Sequence, residues 1–161
     1  MRIPPDEGHD VAQVCMNGHK VNSYSKTLPK YNSKFCAACG TAVIDSCQQC
    51  GGPIRGGSLG RVVGGFKVPA YCQHCGKPFP WTENALGAAK EYADELDLNA
   101  DDKETLKSSI DDLTSDTART PLAASRFRRF MAKITPEAGK ALLQIVVSVA
   151  TEEAKKKLIG L

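Results

Sequence analysis

Residues 15–50 read CMNGHKVNSYSKTLPKYNSKFCAACGTAVIDSCQQC and hold Cys15, Cys36, Cys39, Cys47 and Cys50. Cys72 and Cys75 follow, which makes seven cysteines in 161 residues. The first pair is Cys-x3-His and every later pair is Cys-x2-Cys. An odd number of cysteines leaves one unpaired if the others form disulfides. Counting ligands removes the remainder, because two tetrahedral zinc sites need eight ligands and seven cysteines plus His19 supply them. The expected first site is Cys15, His19, Cys36 and Cys39, and the second is Cys47, Cys50, Cys72 and Cys75.

The spacing has a physical cause. A Cys-x2-Cys turn brings two sulfurs to one metal, and a small residue next in the chain lets backbone amides turn toward the thiolates. Gly40, Gly51 and Gly76 each follow such a pair directly. In CMNGH the longer imidazole replaces a thiolate, so one more residue is needed, and Asn17-Gly18 supplies the bend. His74, between two ligands, is expected to face outward, and His9 to be a mobile surface histidine. The stretches between the pairs read as short strands and turns: KFC, TAVID, PIRGG and FKVPAYC. Such a module buries little apolar area, so the two structural zinc ions supply much of its folding free energy. The segment GGPIRGGSLGRVVGG lacks Gly-x4-Gly-Lys-Ser/Thr and reads as a flexible hairpin tip, with Arg55 and Arg61 at its end.

The segments VAQVCMNGH, KFCAACG, CQQCGGPIRG and PAYCQHCGKPFPWT resemble the N-terminal module of a family of small bacterial proteins of uncharacterised function, over about residues 11–82. The resemblance implies bacterial zinc ribbons. The chain is also similar to double zinc ribbons in general, which implies a binding or scaffolding module.

After PFPWT the cysteines stop and glycines become scarce, placing a boundary near Trp81. The expected fold is α+β: residues 1–10 as a leader, 11–81 as a small metal-bound β module, a double zinc ribbon, and 82–161 as an α-helical region. Thr82 reads as an N-cap before a helix over about 83–97, with Leu86, Ala89, Ala93 and Leu96 at helical spacing. Trp81 is expected to pack this helix on the second ribbon. Asn99 caps a helix over about 100–114 with the stripe Leu106, Ile110 and Leu113, expected at the surface, and 114–120 reads as a linker. Thr120-Pro121 and Thr135-Pro136 start helices over about 121–134 and 136–159. The third helix aligns Leu122, Phe127, Phe130 and Ile134 among Arg126, Arg128, Arg129 and Lys133. The fourth carries ALLQIVVSVA, whose apolar residues cover more than one face, so a bundle core or a self-association interface centred on Leu142, Val146 and Val149 is expected. Its eleven uncharged residues, 141–151, are too few to span a bilayer.

Charge is polarised along the chain. Residues 1–82 hold nine Lys and Arg against four Asp and Glu, residues 83–116 three against eleven, and residues 117–161 nine against three. Seven zinc-bound thiolates and two zinc ions move the formal total from +3 to zero. Nucleic-acid affinity comes largely from phosphate neutralisation, so the basic pI overstates that case. Four-ligand sites leave no open position for catalysis, which points away from an enzyme. Without a signal-peptide core, the expected location is the cytoplasm. The expected activity is that of an adaptor binding a protein partner or itself. The alternatives are a nucleic-acid-binding ribbon using Arg55, Arg61, Lys67, Arg126, Arg128 and Arg129, or a membrane-surface effector using the two C-terminal helices.

Overall fold

The computed structural model describes residues 8–60 and 65–160. The chain divides into two compact units, Met1–Glu83 and Asn84–Leu161. The first holds short strands and the second is helical.

The first unit contains β1 (His9–Val11), β2 (Gln13–Cys15), β3 (Lys20–Asn22), β4 (Val43–Ile44) and β5 (Arg55–Ser58). β3, β2 and β4 form one antiparallel sheet in that order, and β1 pairs antiparallel with β5. The apolar centre of the unit is small: Ala12, Val14, Ile54 and Phe79, together with Cys47 and Cys72. Two expectations change here. His9 is a half-buried strand residue opposite Ser58, so the polar leader passes into a strand at His9. The glycine-rich segment is in part strand β5, with Arg55 opposite Val11. Gly56 and Gly57 are there for close approach: a Cβ on Gly56 would stand 2.4 Å from the Ser23 carbonyl oxygen, and one on Gly57 2.3 Å from the Tyr24 ring. Arg61 lies outside the described residues.

Helix α1 (Pro80–Glu95) starts earlier than expected, with Pro80 at its first position. The Phe79 carbonyl accepts from the amides of Thr82 and Glu83. Thr82 is not a cap; it is buried, and its hydroxyl donates to the Ala70 carbonyl at 2.8 Å. Trp81 stacks on Phe79 with ring centroids 4.7 Å apart, donates from Nε1 to the Pro69 carbonyl, and lies so close to Gly18 that a Cβ there would sit 2.9 Å from it.

In the second unit, α2 (Ala100–Asp112) begins at Asn99, whose side chain accepts from the Asp102 amide. Leu106, Ile110 and Leu113 are fully buried and not at the surface. Residues 114–120 are tied down: the Thr120 hydroxyl donates to the Ser115 carbonyl and accepts from the Thr117 amide. Thr120 is therefore the first residue of α3 (Thr120–Met131) and not its cap. The buried stripe of α3 is Ala123, Phe127 and Phe130, spaced i, i+4, i+7, whereas Leu122 is 46% exposed. A five-residue step from 122 to 127 turns the helix too far for both to share a face.

The helix expected over 136–159 is two, α4 (Pro136–Val149) and α5 (Glu152–Ile159). Ala150 and Thr151 are extended. Thr151 caps α5 by accepting from the Ala154 amide, and its own amide donates to the Leu113 carbonyl. Glu152 and Glu153 follow in the first turn, where the helix dipole favours acids. Leu142 and Val146 are fully buried in the unit's own core with Ala89, Ala93, Phe127 and Ala154, and Val149 is nearly so. Among the described residues no helix is long and apolar enough to cross a membrane.

Candidate metal centres

Three turns in the first unit repeat one construction. Cys36, Cys47 and Cys72 each accept, at their carbonyl, the amide of the glycine four residues on, Gly40, Gly51 and Gly76, all at 2.8 Å. Those glycines have φ of 73°, 73° and 71°, the left-handed region that L side chains avoid. The amide of the same cysteine then donates to Thr41, Gly52 or Lys77, and a bridge closes each turn: Phe35 to Ala42, Ser46 to Pro53, Tyr71 to Pro78. The CMNGH turn is the variant. Gly18 donates to the Cys15 carbonyl with φ of 85°, Cys15 donates to the His19 carbonyl, and the His19 amide donates to Cys15 Sγ at 3.3 Å.

These turns assemble two clusters. In one, the ligand atoms of Cys15, His19, Cys36 and Cys39 lie within 4.8 Å of one another, and in the other those of Cys47, Cys50, Cys72 and Cys75 do so. Cys15 Sγ stands 3.5 Å from His19 Nδ1 and 3.7 Å from Cys39 Sγ, and Cys36 Sγ stands 3.7 Å from His19 Nδ1. In the second cluster Cys47 and Cys75 are 3.8 Å apart and Cys50 and Cys72 are 3.7 Å apart. A tetrahedron with metal–sulfur bonds of about 2.3 Å has sulfur–sulfur edges of about 3.8 Å, and sulfur–nitrogen edges of about 3.6 Å. A disulfide needs about 2.05 Å, and none of the seven cysteines is bonded to another. The donor sets, three thiolates with an imidazole and four thiolates, suit a soft or borderline cation. The structure also names the histidine atom: Nδ1 faces the sulfurs.

Electrostatics within the clusters pull the proton affinities of the candidate ligands apart. The Thr41 hydroxyl, 3.1 Å from Cys39 Sγ, and the Thr41 amide hold that thiol down at about 5. Hydrogen bonds from Cys39 and Cys15 push His19 up. The Gly52 amide pulls Cys50 down, but desolvation and the thiols of Cys75, Cys72 and Cys47 outweigh it and push Cys50 up to about 12. Each cluster thus shares a few protons among closely spaced sulfurs, and a cation entering it releases them. Amides of Gly52 and His74 point at Cys50 Sγ and Cys72 Sγ and neutralise part of the thiolate charge. Spacing alone did not identify Thr41; a hydroxyl two residues after an exposed ligand is the local clue.

His74 is exposed and outside both clusters. Its ring covers Gly52, where a Cβ would lie 2.5 Å from the imidazole. His19→Ala is expected to release metal from the first cluster alone, whereas His74→Ala leaves both filled. Titration with a chromogenic chelator reads this, and equal release from the two variants would overturn the assignment of His19.

The basic residues singled out in the sequence fall in both units. Arg55 and Lys67 line a recess of about 270 Å³ with His9, Gly56 and Phe66. Arg126, Arg128 and Arg129 belong to α3 in the other unit, where Lys133 pairs with Asp102 at 2.8 Å and Arg119 with Asp112 at 3.0 Å.

No curated protein and no solved structure matches this chain. Residues 8–158 match a family described as an uncharacterized protein conserved in bacteria (DUF2321), a match that takes in both the cysteine clusters and the helices, and the chain belongs to that family.

Proposed function

We propose that the protein is a non-enzymatic binding scaffold, a double zinc ribbon carrying a helical unit, held by two structural zinc ions. The observation that carries this reading is that five ligand-atom separations across the two clusters, 3.5–3.8 Å, match the edges of a zinc tetrahedron. Zinc suits both donor sets, and four protein ligands at each site leave no coordination position for a substrate or an activated water. The protein then works as an adaptor: the metals make a small module rigid, and the surfaces it displays engage a partner.

Protein purified without added metal is expected to contain two zinc ions per chain by elemental analysis. Cobalt substitution should give the intense visible bands of tetrahedral thiolate coordination at both sites. One zinc per chain, or five-coordinate cobalt spectra that change with small anions, would sink the reading of two closed structural sites.

A further inference from the structure

We propose that residues 20–35, the chain between the second and third ligands of the first cluster, form a docking surface for single-stranded nucleic acid. The proposal rests on the metal-held scaffold argued above, because His19 and Cys36 anchor both ends of the segment.

Residues 26–35 are all exposed, yet their backbone is pinned. The buried Asp10 carboxylate accepts from the amides of Lys26 and Thr27, at 2.9 and 3.0 Å, and from the Thr27 hydroxyl. Asn22 donates to the Leu28 carbonyl and to the Asn32 side chain, Asn32 donates to the Ser25 carbonyl, and the Ser33 amide donates to Gln13. A loop held this firmly presents its side chains at little further cost in order. What it presents is apolar and flat: Tyr31 is 58% exposed and Phe35 62% exposed, with Leu28 beside them in sequence. Neither ring is used by the unit's own core.

The charged side chains of the segment itself have one sign. Residues 11–44 contain no Asp or Glu, and they contain Lys20, Lys26, Lys30 and Lys34. Three thiolates and one zinc leave the first site at −1, so the stretch as a whole is positive. Among the described residues only Lys26 of these four has an acidic partner, Asp45 at 3.9 Å. The Lys30 ammonium lies 4.9 Å from the centre of the Tyr31 ring, so a cation and a π face are offered together. Lysines without partners alternating with exposed rings fit a polyanion whose flat groups are unstacked. Phosphates take the lysines and bases stack on Tyr31 and Phe35. A paired duplex keeps its base faces covered, and a run of carboxylates alone has no flat groups to stack on the rings.

The test uses the full chain with its zinc content measured throughout, and fluorescent oligothymidine and oligouridine of about 12 nucleotides. Anisotropy should show binding that falls with salt at a log–log slope of about −2, the value for three phosphates neutralised by Lys20, Lys30 and Lys34 on a single strand. The double change Tyr31→Ala, Phe35→Ala should weaken binding at least about tenfold with that slope unchanged. Lys30→Ala with Lys34→Ala should flatten the slope by about 1.4. Both pairs are exposed, so zinc content and circular dichroism should stay as in the parent. Three results would each overturn the proposal: no binding at about 50 mM salt by protein carrying two zinc ions; duplex or oligoglutamate bound as tightly as the single strand and indifferent to the ring substitutions; or loss of binding on Arg128→Ala with Arg129→Ala in its place. Protein that folds without zinc would instead sink the scaffold reading, which separates the two failures.

Discussion

A chelator strong enough to strip both clusters is expected to unfold the first unit and leave most of the helix content intact. Among the described residues the first unit's buried apolar centre is Ala12, Val14, Ile54 and Phe79 with two candidate ligands, Cys47 and Cys72, flanked by the partly buried Ile44, Phe66, Val68 and Trp81. A core of that size does not offset the conformational entropy of ordering the chain. Structural zinc supplies about 10–16 kcal/mol per site at neutral pH, more than the net stability of an ordinary small domain. The second unit has its own core, built from Ala89, Leu106, Ile110, Phe127, Leu142 and Val146, and contains no cysteine. Trp81 is the chain's single tryptophan and touches parts of both candidate metal centres: Gly18 from the first, and Phe79 with the Pro69 carbonyl beside the second. Its emission should therefore move to the red as metal leaves, while the helical signal in circular dichroism falls little. Unchanged Trp81 emission in protein shown to be free of zinc would mean that the unit folds on its apolar contacts, and the metals would lose their structural role.

Val146→Asp is expected to melt the helical unit while both clusters keep their metal. Val146 is fully buried and belongs to the unit's core cluster together with residues of its other helices. A carboxylate there is either charged and unpaired or protonated at the expense of a raised pKa, and both routes cost several kcal/mol, about what a single domain has to lose. Leu142→Ala, on the same buried face, removes volume without adding charge and should cost about 2–5 kcal/mol, lowering the thermal midpoint without abolishing the transition. Circular dichroism reads the helix loss and elemental analysis the retained zinc. A Val146→Asp protein that keeps its helicity would contradict the placement of α4 in the chain's own core, and a change in mass alone would return Val146 to an intermolecular interface.

Features set within a few residues were legible in the sequence. The Cys-x2-Cys-Gly turns are closed by hydrogen bonds no longer than six residues, and the glycine is needed for its positive φ, so spacing and residue type together announce them. Asn99 and Thr135 accept from amides three residues ahead, which makes those helix starts equally local. The break at Ala150–Thr151 was also written locally, in Thr151 followed by Glu152 and Glu153, but the continuous apolar run before it argued for one long helix. Only the extended backbone at 150 and 151 shows that the cap prevailed.

By itself, then, the sequence determined which residues could group as two sets of metal ligands, the polarity from a cysteine-bearing β unit to a helical one, and the starts of the helices at Ala100 and Pro136, because each depends on atoms a turn apart. Tertiary structure alone decided the rest. Thr82 and Thr120 resemble caps, but their hydroxyls are claimed by the Ala70 and Ser115 carbonyls, and the difference lies in where the chain has folded, not in residue type. The glycines of β5 look like flexibility until Ser23 and Tyr24 arrive against them. In the lysine-rich segment after His19 the buried Asp10 and Asn22 hold the backbone, and Tyr31 and Phe35 are left exposed. Hydrogen bonds between distant residues compete with local ones on equal terms, and only the folded chain shows which won.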